Sequence, residues 1–253
     1  MELKGGHISK VDAAGKFERV IKSPGPNGMK LHPDGSLWAC ECKRKAVIRV
    51  DLTTKETTMM ADGCGGVPLL GPNDLCFGIT ERCYFTDPDG SSLKNRIGAL
   101  YRRERNGAVH REVDGLAYPN GLALTPDDAQ LVFAETMTGM LWICDRAPDG
   151  SLGGRRPFCE VGGKGGPDGM AYDAEGHLYV AIFGDGCVRV VDPRGQISGE
   201  IALPGKNPTN CCFGGKDWRI LFVTEAERGE LLEVALDKPG LPIPPRPPTA
   251  EPF

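Results

Sequence analysis

A short motif returns five times along this chain, and it constrains the fold more than any other feature. The copies are Pro26-Asn27-Gly28-Met29, Pro72-Asn73-Asp74-Leu75, Pro119-Asn120-Gly121-Leu122, Pro167-Asp168-Gly169-Met170 and Pro208-Thr209-Asn210-Cys211. With the Asn or Asp taken as origin (Asn27, Asn73, Asn120, Asp168 and Asn210), the intervals are 46, 47, 48 and 42 residues. Each origin begins a short alternating run, closed in several copies by a turn such as Pro33-Asp34-Gly35, Pro126-Asp127-Asp128 or Ala174-Glu175-Gly176. An apolar strand follows, and its end is acidic 14 or 15 residues from the origin at Glu41, Asp87, Glu135 and Glu225, whereas Ile182 breaks the pattern. Residues 46–51, 139–145 and 186–192 read as a third strand ending in Asp, and Thr57-Thr58-Met59-Met60 as a fourth. Four short strands in a period near 45 residues are the signature of a β-propeller blade.

Composition agrees with an all-β reading. Gly (35) and Pro (21) together occupy 56 of 253 positions, a density that leaves little room for long helices. Residues 6–12 match the third strand of a unit and 17–21 the fourth, so the origin of that unit would fall before Met1. The expectation is a six-bladed β-propeller with an incomplete first blade: five full repeats plus an outer half-blade. It forms a single domain over residues 1–237. Residues 238–253 hold seven prolines in sixteen positions and read as an extended, Pro-rich tail. Pro244-x-x-Pro247 within it also fits the spacing of an SH3-type ligand, although a plain tail is the simpler reading.

Several function classes drop out. The net charge is −4, with no face that concentrates Lys and Arg, so nucleic acid is not an expected partner. No window approaches the roughly 18 apolar residues that a membrane helix needs. The first residues lack the apolar core of a secretory signal. Of the ten cysteines, Cys40, Cys42, Cys76, Cys83, Cys144, Cys187, Cys211 and Cys212 sit in apolar, strand-like runs, where Cys behaves as a small hydrophobe. Cys40-x-Cys42 is one residue too tight for a zinc knuckle. Structural thiols, and with them a reducing cytoplasm, are expected. No Gly-x-Ser-x-Gly elbow and no phosphate-binding Gly motif is present.

The five origins enter innermost strands at the same phase, which in a propeller faces one end of the central channel. Amide and carboxylate oxygens converging there suit a hard divalent cation such as Ca²⁺, Mg²⁺ or Mn²⁺. None of His7, His32, His110 and His177 occupies an origin, so an imidazole-rich zinc site is not indicated, though zinc still binds oxygen ligands. The competing reading has these side chains only fastening blade to blade. Asp in place of Asn at 168 favours chemistry there, because one anion among amides is what a cation site or a general base requires. The acidic strand ends divide between capping turns and surrounding the channel mouth. Asp87 is the best candidate for the second role, as a substrate contact, because it leads into a longer insertion at 89–95.

The segments Gly71-Pro-Asn-Asp-Leu75 with Tyr84-Phe-Thr-Asp-Pro88, Tyr118-Pro-Asn-Gly-Leu-Ala123, Pro167-Asp-Gly-Met-Ala171 with Leu178-Tyr-Val-Ala181, and Pro208-Thr-Asn-Cys-Cys-Phe-Gly-Gly215 with Leu221-Phe-Val-Thr224 resemble those of one family. It comprises gluconolactonase, regucalcin (senescence marker protein) and bacterial lactonases, all six-bladed propellers. The resemblance runs from about Gly5 to Leu236. It implies hydrolysis of a sugar lactone or related cyclic ester with one divalent cation, whether Ca, Mn, Mg or Zn. By that resemblance Asn120 is a metal ligand, Asp168 both ligand and base for water, and Asn73 a contact to substrate or to a metal-linked water. The family's third ligand is a Glu in the first blade's inner strand, which this register places before Met1, and Glu2 lies too close to the third strand to replace it. The alternative implied is a propeller that binds a metal or small ligand without catalysis.

Overall fold

The computed structural model describes residues 4–242. Alternating strands dominate it, and the helical structure among the described residues is one 3-10 turn at Thr136–Thr138. Five sheets follow one another along the chain. The first holds β3 (Pro26–Leu31), β4 (Leu37–Glu41), β5 (Ala46–Val50) and β6 (Thr57–Ala61), after a two-stranded sheet of β1 (His7–Val11) and β2 (Phe17–Lys22). A small ribbon of β7 (Gly63–Cys64) and β8 (Val67–Pro68) leads to the second, with β9 (Leu75–Phe77), β10 (Cys83–Asp87), β11 (Gly98–Arg103) and β12 (Val109–Leu116). The third comprises β13 (Pro119–Leu124), β14 (Gln130–Glu135), β15 (Met140–Arg146) and β16 (Leu152–Glu160). The fourth comprises β17 (Gly166–Tyr172), β18 (Leu178–Phe183), β19 (Cys187–Val191) and β20 (Ile197–Ala202), and the fifth has three strands, β21 (Pro208–Gly214), β22 (Ile220–Glu225) and β23 (Glu230–Ala235). In each sheet neighbours in sequence are neighbours in space, all antiparallel. This is a β-propeller, and its strands match the expected third and fourth strands to within a residue or two.

The core lies between sheets, as the strand pattern requires. Second strands such as Leu37–Glu41 and Cys83–Asp87 are buried at every position because both faces are covered by neighbouring blades. Trp38, Cys40 and Val47 of the first sheet pack with Leu75, Phe85 and Tyr101 of the second. Leu100 and Tyr84 of the second meet Leu131 and Phe133 of the third, and Leu141 of the third meets Val180 of the fourth. Tyr179 and Val188 then pack on Phe213 and Val223 of the fifth. Ile8 and Ile21 of the β1–β2 ribbon join Leu37, Ala39 and Ile48 in the same way. Each blade is therefore stabilised mainly by its neighbours.

All ten cysteines are free thiols. Seven are buried, and burial pushes the Cys83 thiol up to about 12 and those of Cys144 and Cys187 to about 11, so they act as small apolar side chains. The described start of the expected tail is pinned. Ala174 N donates to Pro239 O, Gly240 N to Trp218 O and Leu241 N to Tyr172 O, at 2.8 to 3.0 Å. Pro244 and Pro247 lie outside the described residues.

Candidate functional site

Strand register fixes which residues are equivalent around the channel. Pro26, Pro119, Pro167 and Pro208 pair with the second-strand ends Glu41, Glu135, Ile182 and Glu225, and each inner strand then carries an irregularity before Met29, Leu122, Met170 or Cys211. Those four residues pair two places before the strand ends, as Leu75 does with Phe85. Asn27, Asn73, Asn120 and Asp168 therefore share one position, as the repeat suggests. Asn210 does not. Thr209 holds that position in the fifth sheet, and Asn210 falls one place later, with Gly28, Asp74, Gly121 and Gly169. Counted from Thr209, the last interval of the repeat is shorter still, because the fourth blade reaches the fifth through a shorter outer segment.

The glycines are present because the next blade occupies their side-chain space. A Cβ on Gly28 would lie 2.1 Å from Asp74 Oδ1, one on Gly121 2.2 Å from the Asp168 carbonyl oxygen, and one on Gly169 2.1 Å from Asn210 Oδ1. Gly28 N also donates to Asn73 O at 2.7 Å, joining the first blade to the second. Asp74 and Asn210 extend from these positions and meet, Asn210 Nδ2 donating to Asp74 Oδ2 at 3.3 Å. Asp74 is thus a buried channel carboxylate that the motif reading passed over, because the repeat drew attention to the residue before it. The available signal was a charge where three other copies have Gly.

Asn120 is 4% exposed and held on three sides. Its Nδ2 donates to Thr136 Oγ1 at 3.1 Å, whose hydroxyl donates to Pro167 O at 2.7 Å, and its carbonyl accepts Thr86 Oγ1 at 2.7 Å. Its Oδ1 is buried without a hydrogen-bond partner, although a buried amide oxygen normally has one. Beside it, burial and the negative charge of Asp74 hold the Asp168 carboxyl well above the usual carboxylate range, against the hydrogen bonds from Asn120 and Gly169 N. Burial also raises Asp74, opposed by Lys30. Burial alone would depress the Lys30 ammonium, yet Asp74 reverses this and keeps it charged. Asn73 is 9% exposed, and its side-chain amide has no hydrogen-bond partner among the described residues, while its backbone links Thr86 and Gly28.

Asp87 does not join this group. It is fully buried, and its Oδ2 and Oδ1 accept Leu70 N at 2.8 Å and Gly71 N at 2.6 Å, so both oxygens are spent on the loop before β9 instead of facing a substrate. The other acidic strand ends do the same. Glu41 accepts Arg44 N at 2.7 Å, Glu135 accepts Ala117 N at 2.7 Å, and Glu225 accepts Asn207 N at 2.8 Å. The repeated acid fastens the backbone at the corner of every blade but the fourth, where Ile182 stands.

Asn73, Asn120 and Asp168 share one register position on neighbouring inner strands, and the side-chain oxygens they carry are of the kind that fits a hard divalent cation. The orphaned Asn120 oxygen and a carboxyl whose ionisation burial and the charge of Asp74 oppose both match such a ligand. The described residues contain no group of three or more His, Cys, Asp or Glu side chains that could hold a metal ion, so a site here would draw on amides beside Asp168. Further along the inner strands lies a cavity of about 380 Å³ walled by Met29, Leu122, Met170, Tyr172 and Phe213, with Lys30 on its lining. That apolar end carries none of the origin residues.

Sequence comparison supplies an independent line. A family model described as SMP-30/Gluconolactonase/LRE-like region matches residues 1–227. Among curated proteins, the gluconolactonase of Zymomonas mobilis is 31% identical over 87% of this chain and 64% of its own length. Pentonolactonase XacC of Haloferax volcanii is 33% identical over 89% of this chain and 76% of its own. The chain spans less than two thirds of the length of the Zymomonas relative. Among solved structures, a gluconolactonase from Xanthomonas campestris superposes with a TM-score of 0.80 at 28% identity, covering 89% of this chain and 78% of that one.

Proposed function

Because the chain belongs to the SMP-30/gluconolactonase/LRE-like family, we propose that it is a metal-dependent hydrolase that opens a sugar lactone or a related cyclic ester. The observation that carries this reading is the buried, unpartnered Asn120 Oδ1 beside an Asp168 carboxyl held far from its ordinary acidity. Asn120 and Asp168 are the residues that would hold the cation, with Asn73 directed at substrate. When bound there, a divalent cation supplies Lewis-acid polarisation of the lactone carbonyl and countercharge for the oxyanion.

The chain's own residues do the rest. Asp168, once ionised, accepts a proton from the water that attacks the carbonyl carbon, and its raised affinity for protons makes it a stronger base than an exposed Asp. As the acyl–oxygen bond breaks, that proton returns to the ring oxygen, leaving a hydroxy acid. Thr86 and Thr136 hold Asn120 in place, and the free amide of Asn73 is oriented through its backbone. Lys30 offsets the charge of Asp74, which otherwise opposes ionisation of Asp168.

We further infer that β1–β2 is the outer half of a sixth blade. Its two strands follow the third- and fourth-strand pattern of the repeat, and Ile8 and Ile21 pack on the first complete sheet as blade packs on blade. A second reading, a non-catalytic propeller that binds a cation or small ligand, draws on the absence of a three-acid cluster among the described residues. The two separate in a pH-stat assay on glucono-1,5-lactone and a pentonolactone, with Mn²⁺ or Ca²⁺ and then with chelator. Turnover removed by chelator supports the hydrolase. Turnover indifferent to chelator refutes the cation's role, and thermal stabilisation by the cation without turnover favours the binding module.

A further inference from the structure

The cavity further along the inner strands has a chemistry that lactone opening does not use. Its walls take apolar side chains from all five sheets, among them Leu37, Phe77, Leu122, Met170 and Phe213. The last described residues of the chain close a further side. Gly240 N donates to Trp218 O at 2.8 Å and Leu241 N to Tyr172 O at 3.0 Å, which brings Leu241 and Pro242 onto the lining. A Cβ on Gly240 would stand 2.0 Å from Phe213 Cγ, so this segment runs directly against that ring. At about 380 Å³ the space falls within the range of small-molecule sites, about 300–1,000 Å³. Apolar walls that face an unfilled space forfeit packing contacts, so holding blade to blade does not account for it.

Strand register singles out one wall residue. Lys30, Cys76, Ala123, Ala171 and Cys212 hold the same place on the five inner strands, each pairing three residues before the end of its second strand, with Trp38, Tyr84, Val132, Tyr179 and Phe222. All five line the cavity. Four are small, and the first sheet alone puts a long, charged side chain there. Asp128 is the other charged residue on the lining, and it is compensated: Arg146 Nη1 lies 2.9 Å from its Oδ2. Lys30 is half-buried and makes no hydrogen bond or ion pair among the described residues, Asp74 acting on it through charge from beyond ion-pair reach. A half-buried cation without an acceptor carries a desolvation cost that an anion beside it would offset.

We propose that this cavity is a second binding site, for a small amphipathic carboxylate of the medium-chain fatty-acid class, whose carboxylate pairs with Lys30 while its hydrocarbon body fills the apolar space. The ligand class follows from the two features together: the walls bury hydrocarbon, and the uncompensated charge on them is a cation. A neutral apolar molecule would leave Lys30 unmet, and a sugar would leave its hydroxyls unpaired against the walls. The site lies three or four places along the inner strands from Asn73, Asn120 and Asp168. It stands whether or not those residues open a lactone.

Binding of decanoate and of 1-decanol, matched in chain length, is measured by calorimetry on the full chain as wild type, Lys30→Met and Lys30→Arg. Wild type should bind decanoate at least about tenfold more tightly than decanol, the scale of a hydrogen bond to a charged group. Lys30→Met should lose that preference and keep its affinity for decanol, which also shows that the cavity is intact. Lys30→Arg should keep the preference. No saturable binding of decanoate to wild type, no preference over decanol, or a preference that survives in Lys30→Met overturns the proposal. Location is read without a variant, and decides the matter should Lys30→Met fail to fold. Cys212 is exposed and on the lining, so decanoate should slow its labelling by a thiol reagent several-fold, while Cys42 and Cys64, which are not, label at unchanged rates. Labelling of Cys212 that ignores decanoate puts the ligand elsewhere and overturns the site.

Discussion

Replacing Gly121 by Ala tests whether the repeated glycine exists to let the next blade close. An added Cβ would stand 2.2 Å from the Asp168 carbonyl oxygen and 2.6 Å from Gly169 Cα, both backbone atoms that no rotamer change can move aside. Contacts this short do not occur, so β13 and β17 must separate by about an ångström. Overpacking of a close contact costs about 1–3 kcal/mol. The same separation loosens the bond from Thr136 Oγ1 to Pro167 O, 2.7 Å long, at a further cost of about 1 kcal/mol. The expected loss is about 2–4 kcal/mol. For a chain of this size that lowers the melting temperature by roughly 4–16 °C. Gly153→Ala is the control: it meets nothing within 4 Å and lies outside the left-handed region, so it should be neutral or stabilising by up to about 1 kcal/mol. Urea unfolding followed by circular dichroism measures both. A Gly121→Ala protein within about 0.5 kcal/mol of wild type would refute the reasoning.

Other expectations follow from buried charge and from the thiols. Burial and Asp74 make the Asp168 carboxyl hold its proton in the folded, metal-free protein more tightly than in the unfolded chain, so its contribution to stability falls as pH rises through the ordinary carboxylate range. Asp168→Asn should therefore stabilise the chelated protein at pH 8 and not at pH 3.5, and urea midpoints that move in parallel with wild type across that range would contradict it. Glu135 is fully buried and accepts Ala117 N, Arg96, Thr138 and Trp142, so Glu135→Ala strands several donors and should cost about 3–5 kcal/mol, read by the same unfolding assay. With a thiol reagent at pH 8, exposed Cys212 and half-buried Cys42 and Cys64 should react in the native protein, and the other seven only on unfolding.

The architecture was legible because a propeller writes its period into the chain. Alternation, turn dipeptides and Asp-ended third strands recur in register, and the register places each strand before any contact is known. The common register of Asn73, Asn120 and Asp168 was legible for the same reason. What escaped was decided between blades. Asp87 looked like a channel-mouth acid until Leu70 and Gly71 claimed its oxygens, a bond set by how one loop turns back on its own blade. Asn210 was misplaced by one residue because the amide was matched in place of the preceding proline; counted from Pro208 the origin is Thr209, and strand pairing agrees. Asp74 and Lys30 feel each other's charge from different blades, and no local pattern reports that interaction.

The central claim is that Asp168, half-buried beside Asn120, is the base for lactone opening. The most direct measurement is the initial rate of glucono-1,5-lactone hydrolysis at saturating Mn²⁺, corrected for spontaneous opening, in wild type and Asp168→Asn. Removal of a general base should lower the rate by at least about 100-fold, with the circular dichroism spectrum retained. A wild type no faster than the uncatalysed reaction, or a variant within threefold of an active wild type, would contradict the account.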